Sequence, residues 1–466
     1  MKNVFILGIF LCQVWAISSQ TITISDEISL NNQRQFFILG KYDDRYLMFS
    51  ESDEAWSLFA FDEQMHEKNK REIEPDRRRA EVLAVMAGKQ DFTVIYQFTY
   101  KGAFIIKANK YNPNGQLTDS LTLRNFGLSL TRPELHVINS ENQQQILIWN
   151  RERDSLYQVM RLDIPKMTLL PNIIVQTPEP EYEACFEFLI DNEATAYLVS
   201  EQHPYNSERE QHHFLINAYA TNGSVFETKL GMQNKLTHEI KFVCDNTNKC
   251  LTGVGLYSDQ NPAFAKGYFL TQIRPFGTAQ PSLFFNEFDT NFATNFSGKK
   301  YSEKGITDLS ISQVMLRRDG GAIILLEQYR ELTNTKSVSV QEHNIRLDYY
   351  YENVAAVSIH PDGKPHFQTA MFKKQYSYDD EGLYSSFFLQ RTPSQARILF
   401  NDEIRAETTV SEYSLDAEGA AKRRTLFSTD EYDVFLSFRN ATQTAATEVI
   451  VPSMYRSRLR LVRING

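Results

Sequence analysis

A five-residue corner recurs along this 466-residue chain at a nearly regular interval. The clearest copy is "IHPDG" at 359–363, which separates two alternating runs. Its proline presets φ for a turn, its aspartate can bond to nearby backbone, and its glycine accepts the positive φ that returns the chain to antiparallel pairing. The other clean copies are "YNPNG" from Tyr111, "YATNG" from Tyr219, "IRPFG" from Ile273 and "LDAEG" from Leu415, and two degenerate copies are "FDEQM" from Phe61 and "LDIPK" from Leu162. The interval is roughly 50 to 57 residues, apart from one of about 86, and such a period indicates a repeat architecture.

Each repeat unit has the pattern of four short strands, with the corner joining the last two. In the second unit the strands are "EVLAVMA", "FTVIYQF", "AFIIKANKY" and "LTDSLTL". A four-stranded antiparallel sheet of this size cannot bury both of its faces alone, whereas a radial arrangement packs the units face on face and protects their edges. We therefore predict an all-β fold, a β-propeller of four-stranded antiparallel blades. Seven blades are favoured because there are seven corners, and six or eight are the alternatives.

The predicted propeller is a single domain over residues 20–466 that carries two insertions. The long interval between Gly277 and Gly363 contains both, near 286–304 and near 330–351. Ring closure is expected to pair the N-terminal segment 21–30 with strands from the C-terminal end, where "DVFLSFRN" and "SRLRLVRI" follow the seventh corner. Such a closure joins the two ends of the chain.

Residues 1–19 have the pattern of a secretory signal peptide, with Lys2 at the positive end, an apolar run over 4–11 and small residues at Ala16 and Ser18. That run is too short to cross a bilayer, and we expect no transmembrane segment. The formal charge of −9 argues against a nucleic-acid partner, because binding to phosphates depends on lysine and arginine. We expect a soluble exported monomer that is periplasmic, outer-membrane-associated or extracellular, with a protein or glycan partner at the cell envelope.

Export also determines how the cysteines are interpreted, because an oxidising compartment favours disulfides over metal thiolates. The segment "FVCDNTNKCL" puts Cys244 and Cys250 on either side of a polar loop, where paired strands would bring their Cβ atoms within bonding range. We predict a disulfide between Cys244 and Cys250, and a buried thiol at Cys185. A zinc site would need more ligands than this pair and His238 supply.

Segments in the last third of the chain carry a resemblance to a known group of proteins. They are "RRDGGAIILLEQY" from Arg317, "YYYENVAAVSIHPDGKPHFQTAMFKKQ" from Tyr349 and "SSFFLQRTPSQARILFNDE" from Ser385. These segments resemble uncharacterised exported β-propeller-like proteins of the Bacteroidota type, and the Asp-Gly-Gly before a hydrophobic strand is similar to a blade motif of bacterial propellers. The resemblance implies the fold and carries over no catalytic residues, since fold does not decide activity.

The candidate binding residues lie where aromatic rings and carboxylates are neighbours in sequence, in "DYYY" and "QYSYDDEGLY". Such surfaces suit sugar rings and also protein hot spots. The alternative is that these tyrosines bridge core and water at strand ends beside an acidic solvated loop. The candidate ligand-binding residues are Tyr349, Tyr350, Tyr351, Tyr376, Tyr378, Asp379, Asp380, Glu381 and Tyr384. The three adjacent acids could instead hold a structural calcium, and no other cofactor is expected.

Two classes of function are compatible with the sequence. The favoured one is a non-catalytic binding or scaffold propeller that presents loops to a protein or glycan, with a channel or face lined by aromatic and polar groups. The alternative is a propeller glycoside hydrolase or polysaccharide lyase that uses axial carboxylates. The sequence has no Gly-x-Ser-x-Gly, His-Glu-x-x-His or phosphate-binding loop motif, which lowers the expectation of catalysis without excluding separated carboxylates.

Overall fold

A computed structural model describes residues 20–30, 33–53, 55–128, 131–153, 155–180, 184–277, 279–298, 304–337, 343–404 and 408–466. The predicted signal peptide, residues 1–19, lies outside the described residues. No helix within the described ranges has the length and hydropathy that a membrane crossing requires.

The strands of the described part form eight separate antiparallel sheets, which are called blades 1 to 8 below. The two N-terminal strands, which belong to blade 8, are β1 (Thr21–Ile24) and β2 (Ile28–Ser29). Blade 1 is β3 (Gln33–Tyr42), β4 (Arg45–Ser52), β5 (Trp56–Phe61) and β6 (Glu67–Ile73). Blade 2 is β7 (Glu81–Ala87), β8 (Phe92–Tyr100), β9 (Ala103–Tyr111) and β10 (Leu117–Leu128). Blade 3 is β11 (His136–Asn139), β12 (Gln145–Arg153), β13 (Leu156–Asp163) and the two short strands β14 (Thr168–Leu169) and β15 (Ile173–Gln176). Blade 4 is β16 (Phe186–Ile190), β17 (Ala196–Gln202), β18 (His213–Tyr219) and β19 (Val225–Gly231).

The C-terminal half of the chain repeats this arrangement. Blade 5 is β20 (Leu236–Asp245), β21 (Cys250–Ser258), β22 (Gly267–Ile273) and β23 (Ser282–Glu287), and the helix α1 (Thr290–Ser297) follows it. Blade 6 is β24 (Leu309–Leu316), β25 (Ala322–Ser337), β26 (His343–Ile359) and β27 (Pro365–Met371), with β28 (Gln375–Tyr378) added to β26. Blade 7 is β29 (Phe388–Arg391), β30 (Ala396–Asn401), β31 (Thr409–Leu415) and β32 (Ala421–Ser428). Blade 8 is β33 (Thr442–Ala445), β34 (Glu448–Tyr455), β35 (Arg458–Asn465) and the N-terminal strands. Single-turn 3₁₀ helices occur at Asn206–Glu208 and Phe438–Asn440.

The core is divided among the blade interfaces, and each pair of neighbouring blades shares one hydrophobic cluster. Between blades 1 and 2, for example, the Phe49 ring packs against Phe92 at a centroid distance of 6.2 Å. The pair formed by blades 8 and 1 has such a cluster too, in which Ile450 packs with Phe61. The blades therefore form a closed ring, and the predicted β-propeller of four-stranded antiparallel blades is confirmed.

All seven predicted corners join the third and fourth strands of a blade, in blades 1 to 7. The favoured count of seven blades is nevertheless wrong, because the structure has eight, one of the stated alternatives. Blade 8 has no corner, since its fourth strand, β1, comes from the N-terminus and pairs with β35 from Thr21 opposite Asn465 to Ile24 opposite Val462. Counting corners thus undercounts a ring that closes through its two chain ends.

The predicted closure between the chain ends is confirmed, although only one of the two C-terminal segments takes part. β35, with the sequence "RLRLVRIN", pairs with both β1 and β2. The segment "DVFLSFRN" forms an isolated bridge between Leu436 and Ser453 and a 3₁₀ turn. A polar contact adds to the closure. The buried Glu448 carboxylate accepts a hydrogen bond from Tyr46 of blade 1 at 2.8 Å and one from Arg463 at 2.6 Å.

The corner glycines of blades 6 and 7 meet two requirements at once. Gly363 has φ of 84°, which only glycine adopts without strain, and it lies directly against the ring of Phe284 on the preceding blade. A Cβ at this position would lie 2.2 Å from the Phe284 Cγ. Gly419 repeats the arrangement against Phe367, so in these two blades the glycine allows both the turn and the close approach of the neighbouring blade.

Blade 6 differs from the others because its middle strands are much longer. β25 and β26 continue beyond the part paired with β24, from Tyr329 opposite Tyr351 to Ser337 opposite His343. β28 pairs with the same part of β26, from Gln375 opposite Tyr351 to Tyr378 opposite Asp348. This three-stranded projection, residues 329–337, 343–351 and 375–378, is called the extension below.

Candidate functional site

One face of the extension carries an ordered row of tyrosine and arginine side chains. Residues directly opposite one another in a sheet point to the same face, and the register places Arg330 opposite Tyr350, and Tyr350 opposite Tyr376. Tyr378 lies two residues beyond Tyr376 and so shares this face. Arg346 also shares it, since it lies four residues before Tyr350 on β26. These five residues are called the arginine–tyrosine ladder below.

The rings of the ladder contact one another in sequence along the face. The centroids of Tyr350 and Tyr376 are 5.1 Å apart, and those of Tyr376 and Tyr378 are 6.3 Å apart. A guanidinium lies over each terminal ring, with Arg330 4.9 Å from the centroid of Tyr350 and Arg346 5.2 Å from that of Tyr378. Tyr376 and Tyr378 remain 39% and 37% exposed. The ladder therefore offers aromatic surface to solvent while its cations are fixed by cation–π contact.

A buried carboxylate lies beneath the ladder. Asp348 is fully buried and accepts a hydrogen bond from the Tyr376 hydroxyl at 2.9 Å and one from Arg346 at 3.2 Å. The hydrogen bond to Asp348 raises the pKa of Tyr376. Arg330 forms the second ion pair, with Glu352 at 3.7 Å. Because each arginine has a carboxylate partner, the surface of the ladder is close to electrically neutral.

The opposite face of the extension is buried around Tyr349 and Tyr351, two of the candidate tyrosines, whereas Ile345 on the same face is exposed. Tyr349 and Tyr351 are only 5% and 6% exposed. The Tyr351 ring packs against Tyr329 at 4.7 Å and lies so close to Gly382 that a Cβ there would be 2.7 Å from its Cε2. Tyr349 and Tyr351 therefore contribute to packing. Tyr350, which lies between them in sequence, is on the ladder face.

The three adjacent acids form a tight turn after β28. Asp379 and Glu381 have φ of 51° and 54°, in the left-handed region. The Asp379 carboxylate accepts a hydrogen bond from the backbone N–H of Leu347 at 3.0 Å, and the Asp380 carboxylate accepts one from that of Gly382 at 3.0 Å. The bond to Asp379 fixes the turn to the extension, and the bond to Asp380 stabilises the turn itself. Among the described residues no group of three or more His, Cys, Asp or Glu side chains is arranged to hold a metal ion, and calcium at this turn stays a prediction.

Tyr384 lies apart from the ladder, at the junction with blade 8. Its hydroxyl donates to the Met454 carbonyl at 2.6 Å, and its ring lies 6.3 Å from that of Phe435. Phe435 in turn stacks on Tyr455 at 4.6 Å. The sequence analysis missed Phe435 and Tyr455, because Phe435 lies in a segment that looks like a strand and Tyr455 in a hairpin turn.

The central channel is lined by the first strand of each blade and contains several cavities. One, of about 790 Å³, borders β3, β7 and β33 and is lined by Arg34 and Lys41 among others. A second, of about 520 Å³, contains Glu187 beside Lys241, and a third, of about 280 Å³, contains Glu141. Within the described ranges, each of these three cavities is lined by at most one carboxylate. Burial raises the pKa of Glu187 to about 7, against the opposing effects of Lys241 and a backbone N–H.

A cavity of about 300 Å³ on blade 3 is lined by two carboxylates. Glu134 and Glu152 both line it, with His136 and Arg151. Each acid is near a basic group, since Glu134 lies 3.6 Å from His136 and Glu152 lies 3.5 Å from Arg124. The Glu134 side chain is 87% exposed, so this cavity lacks the desolvation that an unusually basic catalytic carboxylate needs.

The predicted disulfide is not formed, and the three described cysteines are free thiols. The register explains the error, because Asp245 lies opposite Cys250 and Cys244 lies opposite Leu251. Cys244 is thus one residue out of register, and in a sheet a shift of one residue turns a side chain to the other face. Cys185, predicted to be buried, is partly buried beside the cluster between blades 4 and 5, and burial raises the pKa of its thiol.

The similarities of this chain to known proteins are limited to distant structural matches. No family model and no curated protein matches the chain. Among solved structures, an uncharacterized protein from Listeria monocytogenes EGD-e has a TM-score of 0.39 and 11% identity, over 75% of this chain and 82% of that one. Prolyl oligopeptidase B from Galerina marginata has a TM-score of 0.41 and 9% identity, over 86% of this chain and 51% of that one. An oligogalacturonate lyase in complex with manganese has a TM-score of 0.35 and 10% identity, over 83% of this chain and 96% of that one.

These structural neighbours differ in activity. At such identities the matches say nothing about the chemistry of this chain. The resemblance to exported proteins of the Bacteroidota type stays a prediction.

Proposed function

We propose that the chain is a non-catalytic β-propeller that binds a protein ligand through the arginine–tyrosine ladder. The single observation that carries the proposal is the ladder itself, with three tyrosine rings in contact and an arginine at either end. Tyrosine and arginine are among the residues that dominate binding energy in protein interfaces. The guanidiniums already cover part of the terminal rings, which favours a protein surface over a sugar ring that needs an open aromatic face.

Exposed apolar side chains add to the same surface. Of the large hydrophobic side chains that are exposed in the described part, Leu332, Tyr376 and Tyr378 lie on the ladder face of the extension, because Leu332 is opposite Asp348 on β26. Ile345 is exposed on the opposite face of the extension. Several exposed apolar side chains on one face are typical of an interaction site, whereas scattered single residues need no explanation.

The catalytic alternative has weaker support. A glycoside hydrolase needs two carboxylates about 5 to 10 Å apart across the scissile bond. Among the described residues, two of the three channel cavities are lined by one acid each and the third by none, and the two acids on blade 3 lie beside basic groups. A glycan ligand without catalysis is the nearest competing proposal.

Export is part of the proposal, because a partner at the cell envelope requires it. It is supported by the signal pattern of residues 1–19. N-terminal sequencing of the protein isolated from its native cells tests it. A chain that begins near residue 20 in the envelope or culture fluid is expected, and a cytoplasmic chain that retains Met1 would contradict it.

The ladder is tested by comparing proteins captured from the native envelope by the full chain and by two variants. The Tyr350→Ser/Tyr376→Ser variant removes two of the three rings of the ladder. The matched control is Tyr100→Ser on blade 2, since Tyr100 is 40% exposed and Arg77 lies 4.3 Å from its ring centroid. We expect one partner to be captured by the wild type and the control and to be lost with the ladder variant. Its purified form should bind the ladder variant at least about tenfold more weakly.

Three outcomes would overturn the proposal. The same proteins could be captured by all three chains, which would place the interface elsewhere. A glycan array could show binding that only the ladder variant loses, which would make the ligand a glycan. Cleavage of a polysaccharide by the wild type would establish the catalytic alternative.

A further inference from the structure

The channel cavity of about 280 Å³ is lined by one acidic and one basic side chain. Glu141 lies in the hairpin between the first two strands of blade 3, and Arg391 ends the first strand of blade 7. The other seven lining residues are apolar side chains and Cys244, and burial raises the pKa of that thiol. All of the lining residues belong to the described part of the chain. Glu141 and Arg391 are therefore the charged groups of this cavity.

The two charged side chains reach the cavity from opposite sides of the ring. Blades 3 and 7 are four positions apart in a ring of eight, so they face each other across the channel. Among the described residues, Glu141 and Arg391 form no ion pair, either with each other or with a third residue, and the side-chain hydrogen bonds of both are to uncharged groups. The cavity thus has a negative group and a positive group that are not neutralised.

Hydrogen bonds between neighbouring hairpins hold Glu141 in place. The Asn246 Nδ2 of blade 5 donates to the Glu141 Oε2 at 2.9 Å. The Asn246 Oδ1 accepts from the backbone N–H of Asn192 on blade 4 at 2.8 Å, and the Asn192 Oδ1 accepts from that of Asn142 on blade 3 at 3.0 Å. This network uses one oxygen of the Glu141 carboxylate. The other oxygen has no hydrogen-bond partner among the described residues and can accept from a ligand.

Arg391 is held mainly through its backbone, which leaves most of its guanidinium free. The Gln443 side chain of blade 8 accepts from the Arg391 backbone N–H at 3.0 Å and donates to its carbonyl at 2.7 Å. The guanidinium Nη2 donates to the Val314 carbonyl of blade 6 at 3.2 Å, and Val314 also lines the cavity. A guanidinium has five N–H donors in a fork that matches a carboxylate, so donors remain for an anionic ligand group.

The size of the cavity and its two charges define the ligand. A cavity of roughly 150 Å³ in another protein holds benzene, and typical ligand pockets begin at about 300 Å³, so the ligand is small. Because Glu141 and Arg391 do not contact each other, a ligand that reaches both must carry its charges apart. We infer that the cavity binds a small zwitterion of the ω-amino-acid class, whose ammonium group contacts Glu141, whose carboxylate contacts Arg391 and whose short apolar chain lies on the apolar wall.

This site is independent of the arginine–tyrosine ladder. The cavity lies beside the hairpins between first and second strands, whereas the extension projects from the other end of the ring, where second and third strands are joined. The Tyr350→Ser/Tyr376→Ser variant should therefore bind the zwitterion as the wild type does. Failure of either proposal leaves the other unaffected.

Titration of the full chain with 5-aminopentanoate, followed by ligand-observed NMR, tests the site. We expect saturable binding in the millimolar range, and about fivefold weaker binding of pentanoate and of pentylamine, each of which keeps the chain and one charge. Glu141→Gln keeps an acceptor for Asn246 and should weaken 5-aminopentanoate about fivefold without changing pentanoate. Arg391→Met should weaken 5-aminopentanoate similarly without changing pentylamine.

The matched control is Glu193→Gln, which removes an exposed acid that pairs with Lys249 on the neighbouring hairpin of blade 4. It should leave the binding of 5-aminopentanoate unchanged. Absence of saturable binding up to about 50 mM would overturn the site. Equal affinity for the three compounds would overturn recognition of two charges. Wild-type affinity in Glu141→Gln and Arg391→Met, or an equal loss in Glu193→Gln, would overturn the location.

Discussion

Both faces of the extension contain tyrosines, but the two faces have different roles. On the outer face Tyr376 and Tyr378 are more than a third exposed, and their neighbouring arginines are paired with carboxylates. On the inner face Tyr349 and Tyr351 are almost completely buried against the turn after β28. Tyr350 and Tyr351 are adjacent in sequence and lie on different faces. A run of tyrosines on a strand therefore identifies a surface only after its register is known.

The inner face also contains the buried charges that hold the extension to the ring. Lys373 is buried and forms an ion pair with Glu327 at 2.6 Å, and it donates to the Tyr351 carbonyl at 3.2 Å. Glu327 also accepts a hydrogen bond from Ser386 at 2.6 Å. The comparison leads to a simple expectation, which is that substitutions on the inner face lower stability and those on the outer face alter binding.

The largest effect is expected for Lys373→Met, which leaves the Glu327 carboxylate buried without its cation. Removing one partner of a buried ion pair typically costs about 3 to 5 kcal/mol. We expect a loss of this size in the free energy of unfolding, measured by denaturant titration of the full chain. The double variant Lys373→Met/Glu327→Gln removes both charges and should regain most of the stability. A single variant as stable as the wild type would show that the pair does not hold the extension.

The next largest effect is expected for Tyr351→Ala, compared directly with Tyr350→Ala. Truncation of a buried aromatic side chain costs about 3 to 5 kcal/mol, because its packing is lost and a cavity is left. Tyr351 should show a loss near the lower end of this range, since the Arg439 guanidinium over its ring can settle into the space. Tyr350→Ala should cost about 1 kcal/mol, and the comparison of faces fails if the two neighbouring variants are equally destabilised.

Much of the fold was predictable because it depends on local signals. The corner at 359–363 has a proline, an aspartate and a glycine in the order that a turn requires, and the structure places a turn there with Gly363 at positive φ. The eighth blade was missed because its fourth strand lies more than 430 residues away from its third in sequence. Non-local pairing of this kind leaves no mark in a local pattern.

The candidate site was predictable only as a region. The sequence identified Tyr350, Tyr376 and Tyr378 but not Arg330, which reaches them through the pairing of β25 with β26. Alternation along β26 could have separated Tyr350 from its two neighbours, once the strand was known to have one exposed face. The predicted disulfide failed for the same reason, since a shift of one residue in register puts Cys244 and Cys250 on opposite faces.

The smallest effect is expected for Tyr376→Phe. This variant tests whether the hydroxyl of Tyr376, rather than its ring, is needed on the outer face. The substitution keeps the ring between Tyr350 and Tyr378 and removes the hydroxyl that donates to Asp348. Asp348 keeps its hydrogen bond from Arg346, so the free energy of unfolding should fall by only about 1 kcal/mol.

Because the aromatic surface is unchanged, Tyr376→Phe should retain the captured partner that Tyr350→Ser/Tyr376→Ser loses. Partner loss in Tyr376→Phe would mean that the hydroxyl and the buried carboxylate form the recognition element. In that case the main role of the rings would be to shield Asp348 from solvent. The tyrosines on both faces of the extension would then serve mainly in packing, although those on the ladder face are more exposed.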